Sequence, residues 1–216
     1  RIENNRASGM ALSQSEDIRL RRSILWGNST ATGGVAVALS VSRIGVENSV
    51  LWGSPIAISI GSGNLSVTNS VLDATGANGM IYLFDTFASL DSFRGDYNSY
   101  TRRDDAQLCR KSTLTGNDIY ADLPSWSAAT LSDFHSMTLD PAFANSTNGN
   151  FHEQSTGGRF TANGWTNDAT LSPLVDAGSP ASPCTNELSP NGGYVNIGAY
   201  GNTREASMTQ TNPWLR

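Results

Sequence analysis

The chain has 216 residues, a net charge of −5, 15% charged residues and 21 glycines, with a pI near 4.9. That balance disfavours nucleic acid or an anionic membrane surface as a partner, and the composition disfavours helical bundles and coiled coils. No apolar run approaches the roughly 20 residues of a membrane span, and no closely spaced cysteine pair is present to hold a metal.

The first hundred residues repeat. Ile18–Trp26, Ile44–Trp52, Leu65–Asp73 and, more weakly, Leu90–Asn98 align on Arg22, Asn48, Asn69 and Arg94. The interval is about 21–26 residues, short enough for stacked strand-bearing units. Ile2-Glu-Asn4 matches Val46-Glu-Asn48 as a truncated copy. Apolar residues alternate in Ile18/Leu20, Ile44/Val46 and Leu65/Val67, the signature of strands. Val35, Val37, Leu39 and Val41 form a further alternating run, as do Ile56, Ile58 and Ile60. Each repeat therefore carries more than one strand, which predicts a solenoid over residues 1–100. Gly33-Gly34, Gly53-Ser-Pro55, Gly61-Ser-Gly63 and Gly76–Gly79 mark its corners. Asn4, Asn48 and Asn69 share one repeat position, where stacked amides form a partial ladder. Trp26 and Trp52 share another, read first as aromatic packing and alternatively as a sugar-stacking platform. Met80–Phe84 and Ser89–Phe93 close the regular part.

After Tyr100 the period is lost. Arg102–Asp105 reads as a charged turn. Leu123–Thr130 reads as a short helix, because Pro124 suits a first helical turn. The loop-rich remainder, with strands expected near Phe151, Phe160 and Tyr194, makes 101–216 a region that caps the solenoid. Cys109 and Cys184 lie in two loop-like stretches, and a disulfide and two free thiols are both open readings.

Seven segments recur in a recognisable order: Asp96-Tyr-Asn98, Leu123-Pro-Ser-Trp126, Asp133-Phe-His-Ser136, Asp140-Pro-Ala-Phe143, Gly149-Asn-Phe-His152, Leu171–Gly178 and Asn191–Ser207. The set resembles the C-terminal part of bacterial right-handed parallel β-helix proteins of the pectate-lyase-like superfamily. The resemblance implies an all-β right-handed parallel β-helix with a loop-rich C-terminal cap, in an extracellular or cell-surface setting. It names no single activity. Within it, Asp140, Asp176, Gly192, Gly193 and Gly198 read as structural turn residues.

Catalytic signals are sparse. A lyase of this fold needs a lysine or arginine base, often beside calcium. The only lysine is Lys111, and with Arg103, Asp104 and Asp105 it makes the best charged cluster, read as a solvated loop off the regular faces. A hydrolase needs two carboxylates across a cleft; Asp73, Asp91 and Asp96 lie on or near strand positions. His135 and His152 read as structural. No cofactor is named by the sequence. Asn163–Asp168 gathers oxygen donors for a structural calcium, without the spacing of an EF-hand loop. Asn28, Asn64 and Asn145 begin formal glycosylation sequons, read as chance matches.

The expectation is a non-catalytic surface segment with a structural, adhesive or carbohydrate-contacting role. The alternatives are the terminal part of a polysaccharide lyase or glycoside hydrolase, and a subunit of a filament or sheath. Partners are a polysaccharide, and upstream coils of the same parent or a neighbouring subunit to cover an apolar edge near Ile2.

Overall fold

The computed structural model describes residues 1–5, 8–28 and 34–210; Gly33 and the Ser-Thr of the first sequon lie outside them. The protein is all-β with mostly parallel sheets. Successive strands visit three sheets, A, B and C, in a fixed order. The first circuit is β1 (Ile2–Glu3), β2 (Met10–Ser13) and β3 (Ile18–Arg21). The second is β4 (Ile24–Trp26), β5 (Val35–Ser40) and β6 (Ser42–Glu47). The third is β7 (Val50–Ser54), β8 (Ile56–Ile60) and β9 (Gly63–Thr68). The fourth is β10 (Val71–Thr75), β11 (Met80–Phe84) and β12 (Phe93–Asp96), followed by β13 (Ser99–Arg103) in sheet A and β14 (Gln107–Ser112) in sheet B. Parallel pairing thus continues past residue 100, and Arg103 and Lys111 stand on strands, not in an irregular insertion. β15 (Asn117–Tyr120) turns back antiparallel on β14. At the opposite end β1, β2 and β3 are edge strands.

Register corrects two alignments. Ile18, Ile44 and Leu65 are neighbours as expected, but the next in line is Phe93, so Tyr97 and not Arg94 follows Asn69. A single 3-10 turn at Leu90–Ser92 consumes the residues that mimic the repeat. Ile2-Glu3 lies beside Leu25-Trp26, which places Asn4 against Gly27 rather than in line with Asn48.

Arg22, Asn48, Asn69 and Tyr97 turn the chain from sheet C into sheet A with left-handed backbone, φ 47, 43, 50 and 56. Asparagine tolerates that conformation best among residues with a side chain. The polar ladder runs one residue later than the amides: Ser23 N donates to Ser49 Oγ, Ser49 N to Ser70 Oγ, Ser70 N to Asn98 Oδ1 and Asn98 N to Ser136 Oγ, at 2.9–3.3 Å. Each step satisfies a backbone donor at a corner, where the sheets offer none. The corner amides point away, into the C-terminal segment: Asn48 Nδ2 donates to Asn196 O at 3.1 Å and Asn69 Nδ2 to Ser182 Oγ at 2.8 Å.

Sheet C alternates because one face meets water, as in Ile44-Gly-Val46. Sheet A is apolar on both faces, as in Val50-Leu51-Trp52, because both are covered. Leu25, Leu51, Leu72 and Tyr100 point into the space between the sheets. Ile24, Val50, Val71 and Trp52 point the other way and bury against Phe143, Phe151, Leu174 and Ile197. Burying each such side chain stabilises by about 1.5–3 kcal/mol.

The residues after Ser112 do two different things. α1 (Leu123–Thr130) closes the end of the inter-sheet core; Asp122 caps it with a Ser125 capping box, and Leu131 ends it at φ 51. Its Trp126 is fully buried, stacked on Tyr82 at 5.2 Å and edge-on to Phe93 at 4.9 Å. From Met137 onward the chain lies along the outer face of sheet A, carrying two small antiparallel pairs: β16 (Phe143–Asn145) with β17 (Asn150–Glu153), and β18 (Arg159–Thr161) with β19 (Gly164–Thr166). The strands expected near Phe151 and Phe160 are present, and Tyr194 sits in a turn. Gly149 approaches Trp26 so closely that a Cβ there would lie 2.7 Å from the indole.

Candidate functional site

A groove of about 550 Å³ opens where the start of this outer segment crosses sheet A. β13 supplies Thr101 and Arg103, β7 supplies Trp52, and the crossing strand of chain supplies Leu139, Asp140 and Ser146. The local geometry begins with a bulge. Leu72 pairs with Leu51 but Ala74 pairs with Ser54, so Trp52 and Gly53 together face Asp73. Gly53 adopts φ 74, and its N–H donates to Asp73 Oδ2 at 2.8 Å. Bulges re-aim side chains and are enriched beside functional sites.

Asp73 is wholly buried, and Arg103 closes over it: Nε donates to Oδ1 at 2.8 Å and Nη2 to Oδ2. The guanidinium lies 5.2 Å from the Trp52 ring centroid, a cation–π contact. The Asp73 hydrogen bonds push the Arg103 pKa further above its ordinary value. Arg103 is therefore a fixed cation with its side chain 43% exposed to the groove. Asp140 Oδ1 accepts from Ala142 N at 2.9 Å, turning the chain at Pro141.

Of the charged cluster, only Arg103 reaches this groove. Lys111 is on sheet B and gives its ammonium to the carbonyls of Asp85, Thr86 and Ser112 at 2.7–3.0 Å. Asp104 and Asp105 form the turn after β13 at φ 55 and 64, and Asp104 accepts from Thr75 Oγ1. Trp26 packs edge-on to Phe151 at 6.2 Å, and Trp52, 8% exposed, packs on Phe143 at 5.3 Å. Trp52 meets the groove only at its margin, and Trp26 is half-buried with the Arg1 guanidinium 5.3 Å from its ring centroid. Cys109 and Cys184 are free. Cys109 points into the core beside Tyr82, out of reach of the outer segment that carries Cys184, and burial raises its thiol pKa.

The structural residues serve the outer segment. Asp176, at φ 56, accepts from Thr209 Oγ1 and fills the space that a Cβ on Gly192 would take. Gly193 adopts φ 84, and Gly198, at φ 122, donates its N–H to Asn69 O. His152 stacks on Tyr200 at 3.6 Å, whereas His135 is exposed, stacked on Tyr97 and bonded to Asp96 at 2.7 Å. Asp168 gives both carboxylate oxygens to Arg159, which leaves the Asn163–Asp168 loop no free carboxylate for calcium. Among the described residues no group of three or more histidine, cysteine or acidic side chains is placed to hold a metal.

Sequence reasoning missed three buried acids. Asp133 accepts from Asn98, Tyr100 and Trp126. Glu187 Oε1 accepts from the N–H groups of Asn196 and Asn202. Glu153 is fully buried with neither oxygen bonded among the described residues. The Trp126–Asp133 spacing carried a signal for the first, since a buried indole seeks an acceptor; nothing in the local pattern marks the other two. No protein-family model, curated protein or solved structure matches the chain.

Proposed function

We propose that the chain is the terminal part of a right-handed parallel β-helix protein of the pectate-lyase-like kind, bacterial and extracellular or surface-exposed, and that it contacts polysaccharide without cleaving it. The repeated A–B–C order of strands supports the β-helix reading. One observation carries the functional reading: in the groove, Arg103 is locked by buried Asp73 over Trp52. A fixed guanidinium and an indole margin suit the polar and apolar faces of a sugar chain.

The same pairing counts against chemistry. A lyase base must lose its proton, and Asp73 holds the Arg103 proton in place. A hydrolase needs two available carboxylates, and beyond the occupied Asp73 the groove offers Asp140. Affinity electrophoresis on neutral and acidic polysaccharide gels tests the proposal, with unsaturated-uronate absorbance and reducing ends followed in parallel. Retardation that is lost in Arg103→Gln, without product, supports it. Product formation abolished by Arg103→Gln would replace it with the lyase or hydrolase reading.

A further inference from the structure

A second, separate cavity of about 240 Å³ lies on the corner between sheets C and A, walled on its far side by the outer segment. This is below the ~300–1,000 Å³ of drug-sized pockets and suits one small polar molecule. Its lining is mostly polar, and the unspent groups are few enough to name. Arg21 is neutralised by Glu47 at 2.7 Å. Arg22 touches Gly201 O through Nε at 3.4 Å, and among the described residues no carboxylate pairs with it. Asn48 uses its Nδ2 on Asn196 O, and Asn202 uses its Oδ1 on Asn186 N. Asn48 Oδ1 and Asn202 Nδ2 therefore have no protein partner among the described residues.

The cavity thus presents one uncompensated planar cation, one amide acceptor and one amide donor. A guanidinium with free N–H groups matches a carboxylate in a two-pronged geometry. The flanking amides match hydroxyls, which both donate and accept. Arg22 and Asn48 start from the left-handed corner backbone, φ 47 and 43, and Asn202 from a left-handed turn of the outer segment, φ 54. We infer that this corner binds a hexose-sized polyol bearing one carboxylate, independently of the groove at Arg103.

Isothermal titration of the full chain with D-glucuronate, D-glucose, acetate and sulfate tests this. Glucuronate should bind at least tenfold tighter than glucose and than acetate. Arg22→Asn removes the cation while installing the residue already found at the equivalent corners Asn48 and Asn69, so the fold is retained. It should erase the preference for glucuronate over glucose. Asn202→Asp keeps the acceptor for Asn186 and sets a carboxylate opposite Arg22; it should abolish glucuronate binding. No binding of glucuronate, equal binding of glucose, equal binding of acetate or sulfate, or unchanged affinity in both variants overturns the inference. Gel retardation through Arg103 is unaffected by either variant, so the two sites fail separately.

Discussion

Trp126 donates its indole N–H to Asp133 Oδ2 at 2.9 Å, while Asp133 Oδ1 takes the Tyr100 hydroxyl at 2.8 Å and the Asn98 amide at 3.1 Å. One carboxylate thereby joins α1, the end of sheet A and the corner ladder. All four side chains are buried, so none of the donors can turn to water instead.

Asp133→Ala should therefore cost about 3–5 kcal/mol, because it strands several buried donors at once. Asp133→Asn keeps one acceptor oxygen and should cost less. Urea midpoints at constant m-value measure both. Equal, sub-kcal losses would show that the network contributes little.

Breaking the Arg103–Asp73 pair should destabilise the fold as well as the groove. Arg103→Gln leaves a buried carboxylate with only the Gly53 N–H. We expect about 2–3 kcal/mol, below the ~3–5 of a fully buried pair because the guanidinium is half in water. Adding Asp73→Asn should restore part of that loss. A double-mutant cycle with no coupling would sink the expectation.

Stability should fall as pH rises from mildly acid to mildly alkaline. Burial, with the nearby Glu187 carboxylate adding to it, pushes Glu153 from 4.5 to about 8, and burial pushes Glu187 to about 7. The native state binds these protons more tightly than the unfolded chain. The Glu153 contribution is thus fully present below pH 4.5 and lost by about pH 8. For Glu153 alone the loss is about 4–5 kcal/mol across that window. Glu153→Gln should flatten the curve and melt higher than the parent at pH 8.5. A parent whose melting temperature rises between pH 5 and 8 would contradict the burial of that proton.

Phe151 packs against both Trp26 and Trp52 on the outer face of sheet A. Phe151→Ala should cost about 3–5 kcal/mol, expose Trp52 and widen the exposure of the half-buried Trp26. A red shift and increased acrylamide quenching of tryptophan emission would report it; unchanged emission would mean the indoles have another cover.

The regular strands were legible because their apolar spacing is strict: Ile18, Ile44 and Leu65 align as the pattern says. α1 was legible to the residue through Pro124. The fourth copy misled because Leu90 and Phe93 both present an apolar residue, and only pairing tells which one enters the sheet. The asparagine ladder misled for a subtler reason. A left-handed corner throws its own side chain outward and leaves stacking to the next residue, so Ser49 and Ser70 inherit the role. The groove was half legible. Arg103 and Trp52 stood out separately, but their meeting depends on a bulge at Gly53, which period-two counting cannot see.

The outer segment reaches from Thr101 on β13 back to Trp26 on β4, and it holds Asn48 and Asn69 on the way. A pile of similar layers, each gripping only its neighbours, frays from its free end one layer at a time. A clasp laid across four layers removes that freedom, since no single layer can leave without tearing the clasp from the rest. Amide exchange along β4, β7, β10 and β13 should accordingly share one opening free energy, and the molecule should come apart in one step.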